Sequence, residues 1–210
     1  MQEIVKDKKL YKYVDRKYVP NNWQEGNELI IDDKFKAYAD YYFNDEPGLY
    51  FDAIPKEKRV KLVDKIGEAL DGKLNKSALC VLAYNISHYL NNSPVALREY
   101  ILESIRKSEF PDLISRRHCL YLFDEEGLDF WKRQFNNTKR DLYEVSVSGN
   151  LFSSYDCLIP YDSSNIVMQE EQARCYWKSD LKAYTDFYKH DYDDKEYLFQ
   201  GKVKVLKKYR

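Results

Sequence analysis

Glycine is scarce in this chain: seven residues among 210. No phosphate-cradling GxxxxGK(S/T) loop and no GxGxxG turn occurs, so the two glycine-dependent ways of gripping a phosphate are missing. Histidine is scarcer still. His88, His118 and His190 lie far apart, and the acids of "HDYDD" (His190–Asp194) find no further ligands, so no metal site is expected. The four cysteines, Cys80, Cys119, Cys157 and Cys175, show neither CxxC pairing nor zinc-like spacing. Cys80 and Cys119 sit in apolar runs and read as small core residues with free thiols, as in a reducing compartment. No nucleophile-elbow sequence supports a Ser-His-Asp site. Neither sign of charge dominates: 34 basic and 35 acidic residues leave a net −1. A dedicated duplex-binding protein carries a basic excess, so the balance argues against one; a nucleic-acid module that uses the tyrosines and a local Arg/Lys face is the weaker third reading. There is no run of eighteen apolar residues, and "MQEIVKDKKLYKYV" has no apolar leader core, so a cytoplasmic protein without a membrane partner is expected.

What is abundant is tyrosine, twenty residues in all, together with a hydrophobic fraction of 44% that is enough for a packed core. The tyrosines fit either a compositional bias or a stacking surface. Along the chain, "KLYKYV" (9–14) reads as a strand and "NELIIDD" as another, separated by the loop "PNNWQEG". From Pro55 the pattern is helical. Val60, Val63, Ile66 and Leu70 recur at spacings of three and four, with Gly72 as C-cap. "LNKSALCVLAYNISHYLNN" reads as a buried helix, and Ser93-Pro94 as the start of a third that turns Leu97, Ile101 and Ile105 inward until Pro111. "HCLYLF" then reads as a strand, and "EEGLDFWKRQFNN" as a helix with Leu128, Trp131 and Phe135 inward. "RDLYEVSVSGNLF" alternates as a half-buried strand that ends at a Gly149-Asn150 turn. Met168–Lys178 is helical, and "EYLFQGKVKVLKKY" closes the chain as a strand with Val203 and Val205 inward. The class is α+β: a single domain over 1–210, with an inserted block of about three helices over about 55–110.

Several residues invite two readings. Arg106 follows Glu103 by three and forms an intrahelical pair on the simpler reading. Ser115-Arg116-Arg117 stands between a helix and a strand. It is a capped loop with solvated guanidinium groups, or an anion clamp in which arginine's fixed fork grips phosphate. Tyr121 is a sheet tyrosine or a stacking one, and Tyr176-Trp177 a packed helix end or a platform.

"YILESIRKSEFPDLISRRHCLYLFDEEGLDFW", "DLYEVSVSGNLFSSYD", "ARCYWKSD" and "EYLFQGKVKVL" together resemble an uncharacterised bacterial family, number 2441 among domains of unknown function. The specific part is a helix with Glu and Arg that leads through Phe-Pro into a Ser-Arg step and a strand. A more distant similarity joins "LYKYV", "CLYLFDEEGLDFW", "DLYEVSVSGNLF" and "EYLFQGKVKV", in that order, to small ADP-ribosyltransferases of the rifampin-modifying type. That resemblance implies a split sheet and NAD as substrate. Lys12 then stands where a His or Arg holds the adenosine ribose, and Tyr121 where a tyrosine stacks on nicotinamide. Gly149-Asn150-Leu151 matches a G-x-apolar turn, Asp156 or Glu196 supplies the catalytic acid, Arg116 binds the pyrophosphate, and Ser115 stands beside it among the cofactor-binding residues. The chain departs from that pattern in having Lys at position 12, in leaving the acid's place unfixed and in carrying the helical insertion.

The expectation is therefore a protein that binds NAD or another nucleotide and transfers ADP-ribose to an unknown acceptor. The alternative is a non-catalytic nucleotide- or protein-binding module on the same scaffold. Cleavage of the nicotinamide–ribose bond passes through an oxocarbenium-like state, which calls for a nearby carboxylate rather than a strong nucleophile.

Overall fold

A computed structural model describes residues 2–16, 23–37, 61–135, 139–160, 165–185 and 194–209. The chain divides into two compact units, Met1–Tyr41 with Arg98–Arg210, and Tyr42–Leu97. The first holds a five-stranded antiparallel sheet in the order β1-β4-β5-β2, with β3 also paired to β5. Its strands are β1 (Gln2–Asp15), β2 (Glu28–Ile31), β3 (Leu120–Leu122), β4 (Arg140–Tyr155) and β5 (Lys195–Tyr209). β5 pairs β4 along nearly all its length. On its other edge it meets β3 at Tyr197–Phe199 and β2 at Gly201–Lys204. β1 covers the free edge of β4, and reciprocal hydrogen bonds between Tyr11 and Phe123 (2.8 and 3.0 Å) tie it to the end of β3. β1, β4, β5 and β3 therefore run in a ring that closes at a single bridge, which leaves little free edge there.

Alternation explains what this sheet buries. Tyr143, Val145, Val147 and Leu151 of β4 and Tyr197, Phe199, Val203 and Val205 of β5 share one core with Leu10 and Val14. At one end of the sheet the opposite face is covered too. There Phe152 and Leu198 pack against Ile101, Leu102 and Ile105 of α2 (Lys76–Glu109) and Tyr176 and Trp177 of α4 (Ile166–Lys178). Four consecutive residues, Glu196 to Phe199, are buried for that reason. Leu97, expected beside Ile101 and Ile105, is instead exposed, and Leu102 takes its place in the core. α3 (Leu128–Gln134) differs in the same way: Phe130 is its buried residue, while Trp131 and Phe135 are only half-buried.

β4 does not stop at Gly149-Asn150 but runs straight through them to Tyr155. Gly149 lies opposite Gly201 of β5, with φ +152° and +140°. What reads as a turn signal is a place where two backbones approach more closely than side chains allow.

In the second unit, α1 (Leu62–Leu70) ends at Asp71-Gly72, with Gly72 at φ +68° as a left-handed stop. The break expected at Ser93-Pro94 is absent. α2 continues through Pro94, which passes from the second unit into the first. Proline's fixed φ suits a helix, and what it loses is one i→i−4 hydrogen bond, which a 34-residue helix survives. Two helices, not three, therefore occupy 61–109 among the described residues, and residues 55–60 lie outside them. The first half of α2 is not the buried helix its composition implied: Leu79, Cys80, Tyr84 and Leu90 are exposed, and among the described residues of that half only Leu82 and Asn85 are buried, Leu82 with Ala69, Leu74, Val81 and Ile86 around it. Val63, Ile66 and Leu70 are exposed as well. Their spacing establishes a common face, and it says nothing about whether that face is covered.

Candidate functional site

The Ser-Arg step is a device for turning an arginine inward. Ser115 caps a single 3₁₀ turn, Arg116–His118, by accepting a hydrogen bond from the Arg117 N–H (3.2 Å). Its hydroxyl donates to Glu103 (3.0 Å). Glu103 is also gripped by Arg106, whose guanidinium donates to the carbonyls of Pro111 (3.1 Å) and Leu113 (3.0 Å). The intrahelical pair thus exists, and it also staples the loop that follows α2. Ser115 is a structural cap outside the cavity described below. Arg117 continues the turn, while Arg116 is 5% exposed.

Arg116 meets two buried carboxylates. Its Nε donates to Glu99 (2.9 Å), and one terminal nitrogen donates to Glu196 (2.5 Å) and to the Tyr176 hydroxyl (2.6 Å). Tyr176 in turn donates to Glu196. Burial alone would lower the guanidinium pKa, but Glu196 and Glu99 outweigh it and hold Arg116 firmly charged. Burial raises the Tyr121 and Tyr176 phenols, which stay neutral. A ligand anion at Arg116 would have to displace one of these carboxylates.

A cavity of about 470 Å³ opens on this network. Lys12, Arg116, Tyr121, Asp156 and Glu196 all line it, although they come from β1, two 3₁₀ turns, β3 and β5. Tyr121 donates its hydroxyl to the Arg116 carbonyl (2.8 Å), and the Arg116 guanidinium lies 5.1 Å from its ring centre. Lys12 donates to the Tyr121 carbonyl (3.1 Å). Burial, with a smaller push from Arg140, lowers the Lys12 ammonium to about 8. Asp156 goes the other way: burial first, then Glu196 and Asp194, raise its carboxyl to about 7 against the pull of Arg116 and Arg98. A proton held near neutrality beside a fixed carboxylate and a weakened ammonium is equipment for acid–base work.

Four parts of the wall escaped sequence reading: Glu99, Arg98, Arg140 and an aromatic group formed by Tyr13, Phe123, Trp131 and Phe135. Glu99 left one trace, a carboxylate four residues before Glu103, on the turn where Ile101 and Leu102 point inward. Tyr176 and Trp177 form no open platform: they are fully packed, with the Trp177 indole donating to the Leu102 carbonyl (2.8 Å). Of "HDYDD", only Asp194 is described, and it accepts from the Cys157 N–H (2.6 Å).

Asp156 should leave a mark on stability. Its folded pKa of about 7 lies above the ordinary 3.8, so the fold favours the protonated form. That contribution is present in full below about pH 4 and is lost as pH rises through about 7. Asp156→Asn should therefore be more stable than wild type at pH 8, with the difference shrinking toward pH 4. Urea denaturation across that range measures it, and parallel profiles for the two proteins would rule out the raised carboxyl.

Among the described residues no helix is long and apolar enough to cross a membrane. No curated protein matches the sequence. The family model described as "Protein of unknown function (DUF2441)" matches residues 10–210, and the chain belongs to that family.

Proposed function

We propose that the cavity binds NAD or another nucleotide, and that the protein transfers ADP-ribose from NAD to an acceptor. The family match carries no activity with it, so the reading rests on one observation: Lys12, Tyr121, Asp156 and Glu196 share one cavity wall. In the reaction the nicotinamide–ribose bond breaks and nicotinamide leaves with the bonding electrons. The acceptor's oxygen or nitrogen then bonds to the ribose carbon. Glu196, held in place by Arg116 and Tyr176, stabilises the positive charge that develops on the ribose. Asp156, with a pKa near 7, accepts the proton that the acceptor loses. The products are the modified acceptor, nicotinamide and one proton.

A second reading has its own support. Glu196 is already ion-paired to Arg116, an arrangement that suits a non-catalytic nucleotide-binding module on the same scaffold. Release of nicotinamide from NAD by purified protein, with and without cell extract as a source of acceptor, separates the two. The transferase reading expects turnover that falls about 100-fold or more in Glu196→Gln, the scale of losing one preorganised transition-state contact, with NAD affinity by calorimetry little changed. Binding without turnover in either condition would leave the module reading. No binding at millimolar NAD or other nucleotides would remove both.

A further inference from the structure

The cavity is not uniform. Around Glu99, Arg116 and Glu196 each cation faces a carboxylate. Another stretch of wall carries positive charge that no carboxylate among the described residues pairs with. Lys12 and Arg140 lie close enough for Arg140 to depress the lysine's proton affinity. Among the described residues the Lys12 ammonium donates to one acceptor, the Tyr121 carbonyl. Arg140 forms no ion pair among the described residues, and its Nε is buried without a hydrogen-bond partner. The acids next to it on β4 are engaged elsewhere: Asp141 with Arg16 (2.7 Å) and Lys208 (2.8 Å), Glu144 with Lys9 and Tyr209. A buried guanidinium N–H with no acceptor is costly, and a second cation beside it adds repulsion. An anion relieves both.

The same stretch is aromatic. The Arg140 guanidinium lies over the Phe135 ring, 4.0 Å from its centre. Phe135 stacks on Trp131 (5.8 Å), Trp131 on Phe123 (6.1 Å) and Phe123 on Tyr13 (5.4 Å). Phe123 is buried, whereas Trp131, Phe135 and Tyr13 remain half-buried and face the cavity. The half-exposed parts of these stacked rings give the cavity an aromatic wall against which a further ring packs.

We propose that Lys12, Arg140 and this aromatic wall form a subsite for a planar ring that carries an anionic group. The anion, phosphate or carboxylate, sits between Lys12 and Arg140, and the ring lies against Trp131 and its neighbours. The inference rests on the nucleotide reading for the size of the ligand, and it locates the charge at Arg140 rather than at Arg116.

Calorimetry with AMP, nicotinate, adenosine and inorganic phosphate tests it. AMP or nicotinate should bind at least tenfold more tightly than adenosine or phosphate, and the tighter of the two tells whether the site takes phosphate or carboxylate. Arg140→Gln should weaken that ligand at least tenfold and leave adenosine within about twofold. Trp131→Leu should weaken both. Arg140→Lys, which keeps the charge but loses the guanidinium over Phe135, should give an intermediate loss and serves if Arg140→Gln does not fold. Adenosine binding as well as AMP, no binding by AMP and nicotinate at millimolar concentration, or an AMP affinity indifferent to position 140 would overturn the proposal. Turnover of NAD with unchanged KM in Arg140→Gln would overturn the subsite and spare the transferase reading. Arg140-dependent AMP binding without NAD turnover would do the reverse.

Discussion

Arg116→Leu is expected to lose about 3–5 kcal/mol of stability, the scale set by stripping one partner from a buried ion pair. Glu99 and Glu196 are 1% and 5% exposed, and the arginine is the cation that both of them meet inside the protein. Without it, among the described residues, Glu99 keeps only the more distant Arg98 (3.6 Å) and Glu196 only the Tyr176 hydroxyl, so both buried carboxylates lose their closest cation. Arg116→Lys keeps the charge but cannot reach Glu99 and Glu196 in one fork, and should fall between. The triple change Glu99→Gln, Arg116→Met and Glu196→Gln should recover most of the loss, because a buried network removed whole costs far less than one left charged and unpaired. Denaturation curves for the four proteins decide it. A loss below about 1 kcal/mol in Arg116→Leu, the range of exposed pairs, would mean that water reaches the carboxylates.

Gly149→Ala is the second large effect. A Cβ at Gly149 would lie 2.4 Å from the Gln200 carbonyl oxygen and 2.8 Å from the Gly201 Cα, both backbone atoms of the partner strand. Backbone cannot swing aside as a side-chain tip can, so β4 and β5 would have to separate along the pairing that joins the two cores. Adding the strain of an L-residue at φ +152°, the expected cost is about 3–4 kcal/mol. Gly26→Ala is the control. It also has a positive φ, +85°, but nothing lies within 4 Å of its added Cβ, so only the conformational cost of about 1–2 kcal/mol applies. Equal losses in the two variants would show that the close approach of the strands is not what position 149 requires.

The strands and most helices follow from short-range pattern. The alternation in "LYEVSVS" and "KVKVL" settles which side chains face the core before any partner is known, because successive residues of a strand point oppositely whatever they pair with. The same rule failed where its cue was ambiguous. Gly149-Asn150 has the composition of a turn, and only the presence of Gly201 across the ladder makes it a strand. Ser93-Pro94 has the composition of a helix start, and the helix simply continues.

The candidate site divides along the same line. Resemblance singled out Lys12, Tyr121, Asp156 and Glu196 one by one, and strand pairing brings them to a common cavity. Nothing local announces that Arg116 is spoken for. Its partners lie 17 residues back, on a helix, and 80 residues ahead, on the last strand. Nor does anything local announce that Arg140 has no carboxylate partner among the described residues, since that depends on where every neighbouring acid points. Which residues are charged, and which face of an element they occupy, is written in the sequence. Whether a charge is neutralised or left to a ligand is decided by contacts between distant segments, and those exist only once the chain has closed on itself.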